Sequence, residues 1–197
     1  MKRKVCFLDI DDVLTDFRRQ AIDMCHIDSA IFKYKSYNKL TSSEKVAQHR
    51  LFYFCDCVDD FWNTMKPKEG ASFLYNYCLN KFDSVHFLGG YCPSPEYSYR
   101  FDVVKQIKEN WIRENIKGIK ASSKIIITPT SKSLFINQSE DCFLIDDMKQ
   151  NVASWEKAGG KGILYTTKIE TIKSIQGLTS SNHINLLITK NSYQSYC

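Results

Sequence analysis

"VCFLDIDDVLTDF", Val5 to Phe17, is the stretch on which the fold turns. Four apolar residues read as a strand, which then runs into three carboxylates, Asp9, Asp11 and Asp12. A continuous apolar run this short suits a strand buried on both faces of a parallel sheet. Three similar runs follow at "SVHFLGG" (84–90), "SKIIITPT" (123–130) and "DCFLIDD" (141–147), and a fifth at "GILYTT" (162–167). Each of the first three ends in Gly, Pro or acid.

Helical patterns lie between these strands. In "SPEYSYRFDVVKQIKENWIREN", Ser94 reads as N-cap and Pro95 as first turn, with Val104, Ile107 and Trp111 on one stripe. "NVASWEKAGG" (151–160) is a short helix closed by glycine, and "KPKEGASFLYNYCLNKF" a helix leading into the second strand. The alternation predicts an α/β fold, a Rossmann-like parallel sheet with right-handed crossovers.

Residues 18–68 break the alternation. "TSSEKVAQHRLFYFCDCVDDFW" opens with Thr41 and Glu44 at capping-box spacing and reads as helix. A structureless loop of about 50 residues is improbable inside a compact domain. The expectation is a small helical cap inserted after the first strand, with 1–17 and 69–197 forming the core. Beyond Lys168 one helix and a final apolar "INLLI" are legible.

Composition bounds the function. The 197 residues are 43% hydrophobic and 25% charged, which describes a globular chain rather than a disordered one. Eight scattered cysteines without a C-x-x-C pair read as reduced thiols in a cytoplasmic protein. Cys55 and Cys57 flank Asp56, but nothing nearby completes a four-ligand metal site. "MKRKVCFL" imitates a signal peptide until Asp9 and Asp11 interrupt it, and no apolar run is long enough to span a membrane. A net charge of +5, spread along the chain, fits a small anionic ligand as well as nucleic acid.

Ligands of an open parallel sheet bind at the carboxyl ends of its strands. Asp9 to Asp12 end one strand, and Asp146 with Asp147 ends another. Acids in such places also serve as turn residues or helix N-caps. Two clusters brought together repel unless a cation sits between them, and oxygen-only ligands favour Mg²⁺.

These residues resemble a known family. "FLDIDDVL" is similar to the first motif of the haloacid dehalogenase superfamily, D-x-D-x-[TV], through Asp9, Asp11 and Val13. "FLIDDMKQN" is similar to its fourth motif, and Lys132 stands where the third motif's lysine is expected. Within the superfamily, "DIDDVLTDF" and "FWNTMKPKEGASFL" resemble 5′(3′)-deoxyribonucleotidase-like phosphatases with a helical cap.

The resemblance implies a Mg²⁺-dependent phosphatase for a nucleoside monophosphate or similar small phosphomonoester. Asp9 would be the nucleophile, Asp11 the general acid and base, and Lys132 the partner of the phosphoryl oxygens. Mg²⁺ would be held by Asp9, the Asp11 carbonyl and Asp146, with Asp147 as a further ligand or a partner of one. Phe17, Phe52, Phe54, Phe61 and Trp62 are expected to pack the cap; the functional alternative is that one or two stack on a nucleobase, with Phe17 and Trp62 resembling positions near the substrate pocket. The second motif departs from the pattern, because Gly89, followed by Gly90, stands where a Thr or Ser hydroxyl is expected. The Gly90 N–H or Ser94 would have to substitute. That gap leaves a nucleotide-binding protein with little turnover, or a nucleic-acid end phosphatase, as alternatives to a nucleotidase.

Overall fold

A computed structural model describes residues 2–29, 42, 51–58, 60–91 and 98–179. Five strands, β1 (Lys4–Leu8), β2 (Ser84–Gly90), β3 (Ile125–Thr128), β4 (Asp141–Asp146) and β5 (Lys161–Leu164), form one sheet. Every pairing is parallel and the order is β3-β2-β1-β4-β5, so β1 is central. The chain builds outward from β1 to β3 on one side, then returns to build β4 and β5 on the other. The reversal lies between β1 and β4, the place where open α/β sheets carry their ligand crevice.

Successive β1 side chains point to opposite faces, and both faces are covered. Cys6 and Leu8 join the larger core with Phe87, Val104, Trp111 and Ile112, whereas Val5 and Phe7 join Leu88, Leu144 and Trp155. This is why the strands read as unbroken apolar runs.

Six helices are described: α1 (Phe17–Cys25), α2 (Leu51–Asp56), α3 (Ala71–Leu79), α4 (Arg100–Asn115), α5 (Lys149–Lys157) and α6 (Lys168–Thr179). α5 is closed by Gly159, two residues past its end, whose φ of 96° is open to glycine at little cost. α4 begins at Arg100 after a turn at 98–99. Ser94, Pro95, Thr41, Glu44 and the "INLLI" segment lie outside the described residues. None of the described helices is long and apolar enough to cross a membrane.

The stretch between β1 and α3 starts and ends at one point. Thr15 bridges Pro67, the Asp16 N–H donates to the Lys66 carbonyl at 2.9 Å, and the Lys68 N–H donates to that of Leu14 at 2.8 Å. Its aromatics share the larger core with the sheet. Phe17 stacks on Trp62 with ring centroids 5.9 Å apart, and Phe61 meets both rings edge-on. Phe54, by contrast, is exposed.

Candidate active site

The strand register sets the site. Leu8 pairs with Ile145, and the Asp9 N–H donates to the Ile145 carbonyl at 2.9 Å, which places Asp9 beside Asp146 at the ends of β1 and β4. Lys132 opens a single 3-10 turn (Lys132–Phe135) after β3 and is buried. Its ammonium lies 2.5 Å from Asp9 Oδ1 and 2.7 Å from Asp146 Oδ2. Asp146 Oδ1 also accepts from the Met148 N–H at 2.8 Å, and Asn151 donates to both of its oxygens. Asp147 completes the group: carboxylate oxygens of Asp9, Asp146 and Asp147 lie within 4.8 Å of one another, and all three residues are buried.

The fields in this cluster oppose one another. Burial first, then the charge of Asp146, pushes the Asp9 carboxyl well above the ordinary carboxylate range, and Lys132 only partly offsets this. Burial also pushes Asp147 up to about 7 against the pull of Arg18, with Asp12 and Asp146 adding to the rise. Burial alone would lower Lys132, but Asp9 and Asp146 together hold it above the usual lysine value. Asp9 and Asp146 share Lys132, and Asp147 shares Arg18 with Asp12, so the buried carboxylates are short of positive charge. The donor set is all oxygen, so a divalent ion of the Mg²⁺ type fits it.

Asp12 lies outside this cluster and organises it. Its φ of 60° is in the left-handed region, which Asp tolerates better than most residues. Its carboxylate accepts the Arg18 N–H at 3.1 Å and pairs with Arg18 Nε at 2.9 Å. The same guanidinium pairs with Asp147. Arg18 thus ties the first turn of α1 to the end of β4.

Asp11 points elsewhere. Its Oδ2 pairs with Lys108 Nζ at 2.5 Å, and Lys108 is 0% exposed. The sequence reading missed Lys108. The signal was its place four residues after Val104 and four before Ile112, on a stripe that is otherwise apolar. Arg18 and Asn151 were missed as well, and nothing in their local sequence marks them.

Two expectations are corrected here. A side chain at Gly89 would point away from Lys132 into the core, because its Cβ would lie 2.6 Å from Ile10 Cδ1 and 3.2 Å from Ile127 Cδ1. It is Gly90 that faces the site, since among the described residues a Cβ there would meet only Lys132 Cε, at 4.0 Å. The missing hydroxyl therefore belongs to Gly90, and Gly89 is explained by packing.

The base-stacking wall is the second correction. Phe17 is 5% and Trp62 2% exposed, so neither ring offers a face to a nucleobase in this structure. Trp62 also donates its Nε1–H to Asp56 Oδ1 at 2.9 Å, and the Tyr91 hydroxyl donates to Asp56 Oδ2 at 2.7 Å. Trp62→Ala should therefore cost about 3–5 kcal/mol of stability. That corresponds to a fall of roughly 10 °C in the thermal midpoint of a chain this size. A melt showing an unchanged midpoint would return Trp62 to the surface.

No protein-family model matches the sequence. No curated protein is recognisably similar to it. Solved structures are similar in fold. A haloacid dehalogenase-like family hydrolase from Xanthomonas campestris superposes with a TM-score of 0.50 at 9% identity, over 90% of this chain and 96% of that one. The protein tyrosine kinase A of Mycobacterium tuberculosis also gives 0.50, at 11% identity, over 88% of this chain and 98% of its own. The hydrolase YfnB of Bacillus subtilis, solved with magnesium, gives 0.49 at 9% identity, over 91% and 100%. At these identities the likeness concerns the fold alone, and one fold hosts many chemistries.

Proposed function

We propose that this chain, whose α/β core has the fold of haloacid dehalogenase-like hydrolases, is a Mg²⁺-dependent phosphomonoester hydrolase. The observation that carries the reading is the meeting of Asp9, Lys132, Asp146 and Asp147 at the switch point of the sheet, with Asp11 two residues beyond Asp9. A buried carboxylate at a strand end, with a lysine bonded to it, is placed to attack phosphorus and form an aspartyl-phosphate. Lys132 would move its bonds from carboxylate to phosphoryl oxygen as negative charge develops there. Asp11 would protonate the leaving oxygen and then accept a proton from the attacking water. Asp9, Asp146 and Asp147 would hold Mg²⁺, which when bound neutralises phosphoryl charge. Residues 18–68 would form the cap that shields this chemistry from bulk water.

Within that class, a nucleoside monophosphate is the proposed substrate. Support comes from the likeness of "DIDDVLTDF" and "FWNTMKPKEGASFL" to deoxyribonucleotidase-like phosphatases. Phe17 and Trp62 lend it none while buried. Phosphate release with Mg²⁺, measured over nucleoside monophosphates, sugar phosphates and 5′- or 3′-phosphorylated oligonucleotides, should be fastest on the first group. Fastest release from oligonucleotides would replace the reading by an end phosphatase.

Gly90 favours a second reading. Without a hydroxyl at that position, about 2–4 kcal/mol of transition-state stabilisation is forgone unless a backbone N–H supplies it. Nucleotide binding with negligible phosphate release in the same panel would establish a binding protein.

A further inference from the structure

Lys108 interrupts the apolar stripe of α4, and a fully buried ammonium is costly unless it is paired. Its partners are Asp11 Oδ2 at 2.5 Å and the Gly90 carbonyl at 3.5 Å, with the Trp62 ring centroid 4.7 Å away. The cation is therefore seated between the inserted segment, the end of β2 and the acid after β1. The two oxygens of Asp11 are treated differently. Oδ2 is gripped by Lys108, while Oδ1 is buried and has no hydrogen-bond partner among the described residues. A buried carboxylate oxygen left bare in this way costs stability, and such exceptions concentrate where a group is kept for chemistry.

We propose that Lys108 is a positioning residue for Asp11, holding Oδ2 so that Oδ1 is the atom that exchanges protons with the substrate. The proposal rests on the phosphatase reading and adds to it a residue outside the family-like motifs. In the first step an Asp9 oxygen bonds to phosphorus and the bond to the leaving oxygen breaks. The leaving oxygen keeps the electron pair and takes the proton from Asp11 Oδ1, releasing the alcohol. In the second step water bonds to phosphorus, its proton passes to Asp11 Oδ1, and the bond between Asp9 and phosphorus breaks. Lys108 takes no part in the bond changes. Its seat over the indole suits a cation that keeps its place without a water shell.

The test uses the full chain with Mg²⁺ and two aryl esters that differ mainly in their need for a proton on the leaving group. Phenyl phosphate needs one, and 2,4-dinitrophenyl phosphate does not. Lys108→Met should lower kcat/KM, which reports the first step alone, by about 10²-fold for phenyl phosphate, and the loss on the dinitrophenyl ester should be roughly tenfold smaller. Lys108→Met added to Asp11→Asn should cost nothing further, because both changes act on the same proton. A crystal structure of Lys108→Met should show the Asp11 carboxylate turned from its present orientation. Should that variant not fold, Lys108→Gln, neutral and still a donor, replaces it in the same comparison. Equal losses on both esters, additivity with Asp11→Asn, or an unmoved Asp11 would overturn the role of Lys108 while the phosphatase reading stood. A wild type that hydrolyses neither ester nor any member of the phosphomonoester panel would instead overturn the phosphatase reading, and the proton-transfer role with it.

Discussion

Asp9→Asn should abolish phosphate release, lowering kcat by at least about 10⁴-fold, because the amide cannot attack phosphorus and no neighbouring group replaces it. The substitution keeps the shape of the side chain and removes one charge from a cluster containing Asp146 and Asp147. Its effect on the fold follows from the Asp9 carboxyl, which burial and Asp146 hold well above its unfolded value. A group shifted upward lends stability that is present below its unfolded pKa and is lost as pH rises through the folded one. The ionised form of Asp9 therefore weighs against the metal-free fold. The midpoint of Asp9→Asn should equal or exceed that of the wild type. Turnover and a thermal melt on one preparation decide the matter, and retained turnover would remove Asp9 from the nucleophile's place.

Metal removal should be as severe. EDTA should eliminate activity and Mg²⁺ restore it, with Ca²⁺ a poor substitute because its longer, looser coordination misplaces the phosphate. The same ion should appear in stability, with a pH signature. Asp147 is pushed up to about 7, against an unfolded carboxyl near about 3.9. The metal-free protein should thus lose stability, on the order of a few kcal/mol, as pH rises from about 4 through 7. Mg²⁺ favours the carboxylate form, so it should raise the thermal midpoint more at pH about 7.5 than at pH about 5. Full activity after rigorous chelation, with a midpoint indifferent to Mg²⁺ at both pH values, would exclude a metal-dependent mechanism.

Much of the core was legible in the linear sequence, and for a physical reason. Strands buried on both faces carry few polar residues, so β1, β2 and β4 stand out as apolar runs. Their bounds fall within a residue or so of the quoted segments. The acids stand out because they interrupt an apolar sequence at the carboxyl ends of β1 and β4. Asp9 and Asp146 needed only the parallel order to become neighbours. The helix stripes were legible too, except where function broke them. Lys108 violates the period of α4, and a sequence alone carries no sign of the acid that would compensate such a violation 97 residues away.

What the tertiary structure alone decided depends on register and on burial. Gly89 and Gly90 are equivalent as letters. Only the pairing of β2 with β1 and β3 determines which one would point at Ile10 and which at Lys132, because adjacent strand residues face opposite ways. Phe17 and Trp62 present the same ambiguity in another form. An aromatic ring serves a core or a nucleobase through the same flat apolar surface, and only the neighbours that cover it distinguish the two. Here those neighbours are each other, Phe61 and Tyr91, and they come from segments far apart in the chain. The guanidinium of Arg18, joining Asp12 to Asp147, belongs to the same class. Local sequence set which groups could bear charge. The fold set which charges meet, because the energy of an ion pair depends on separation and burial and not on distance along the chain.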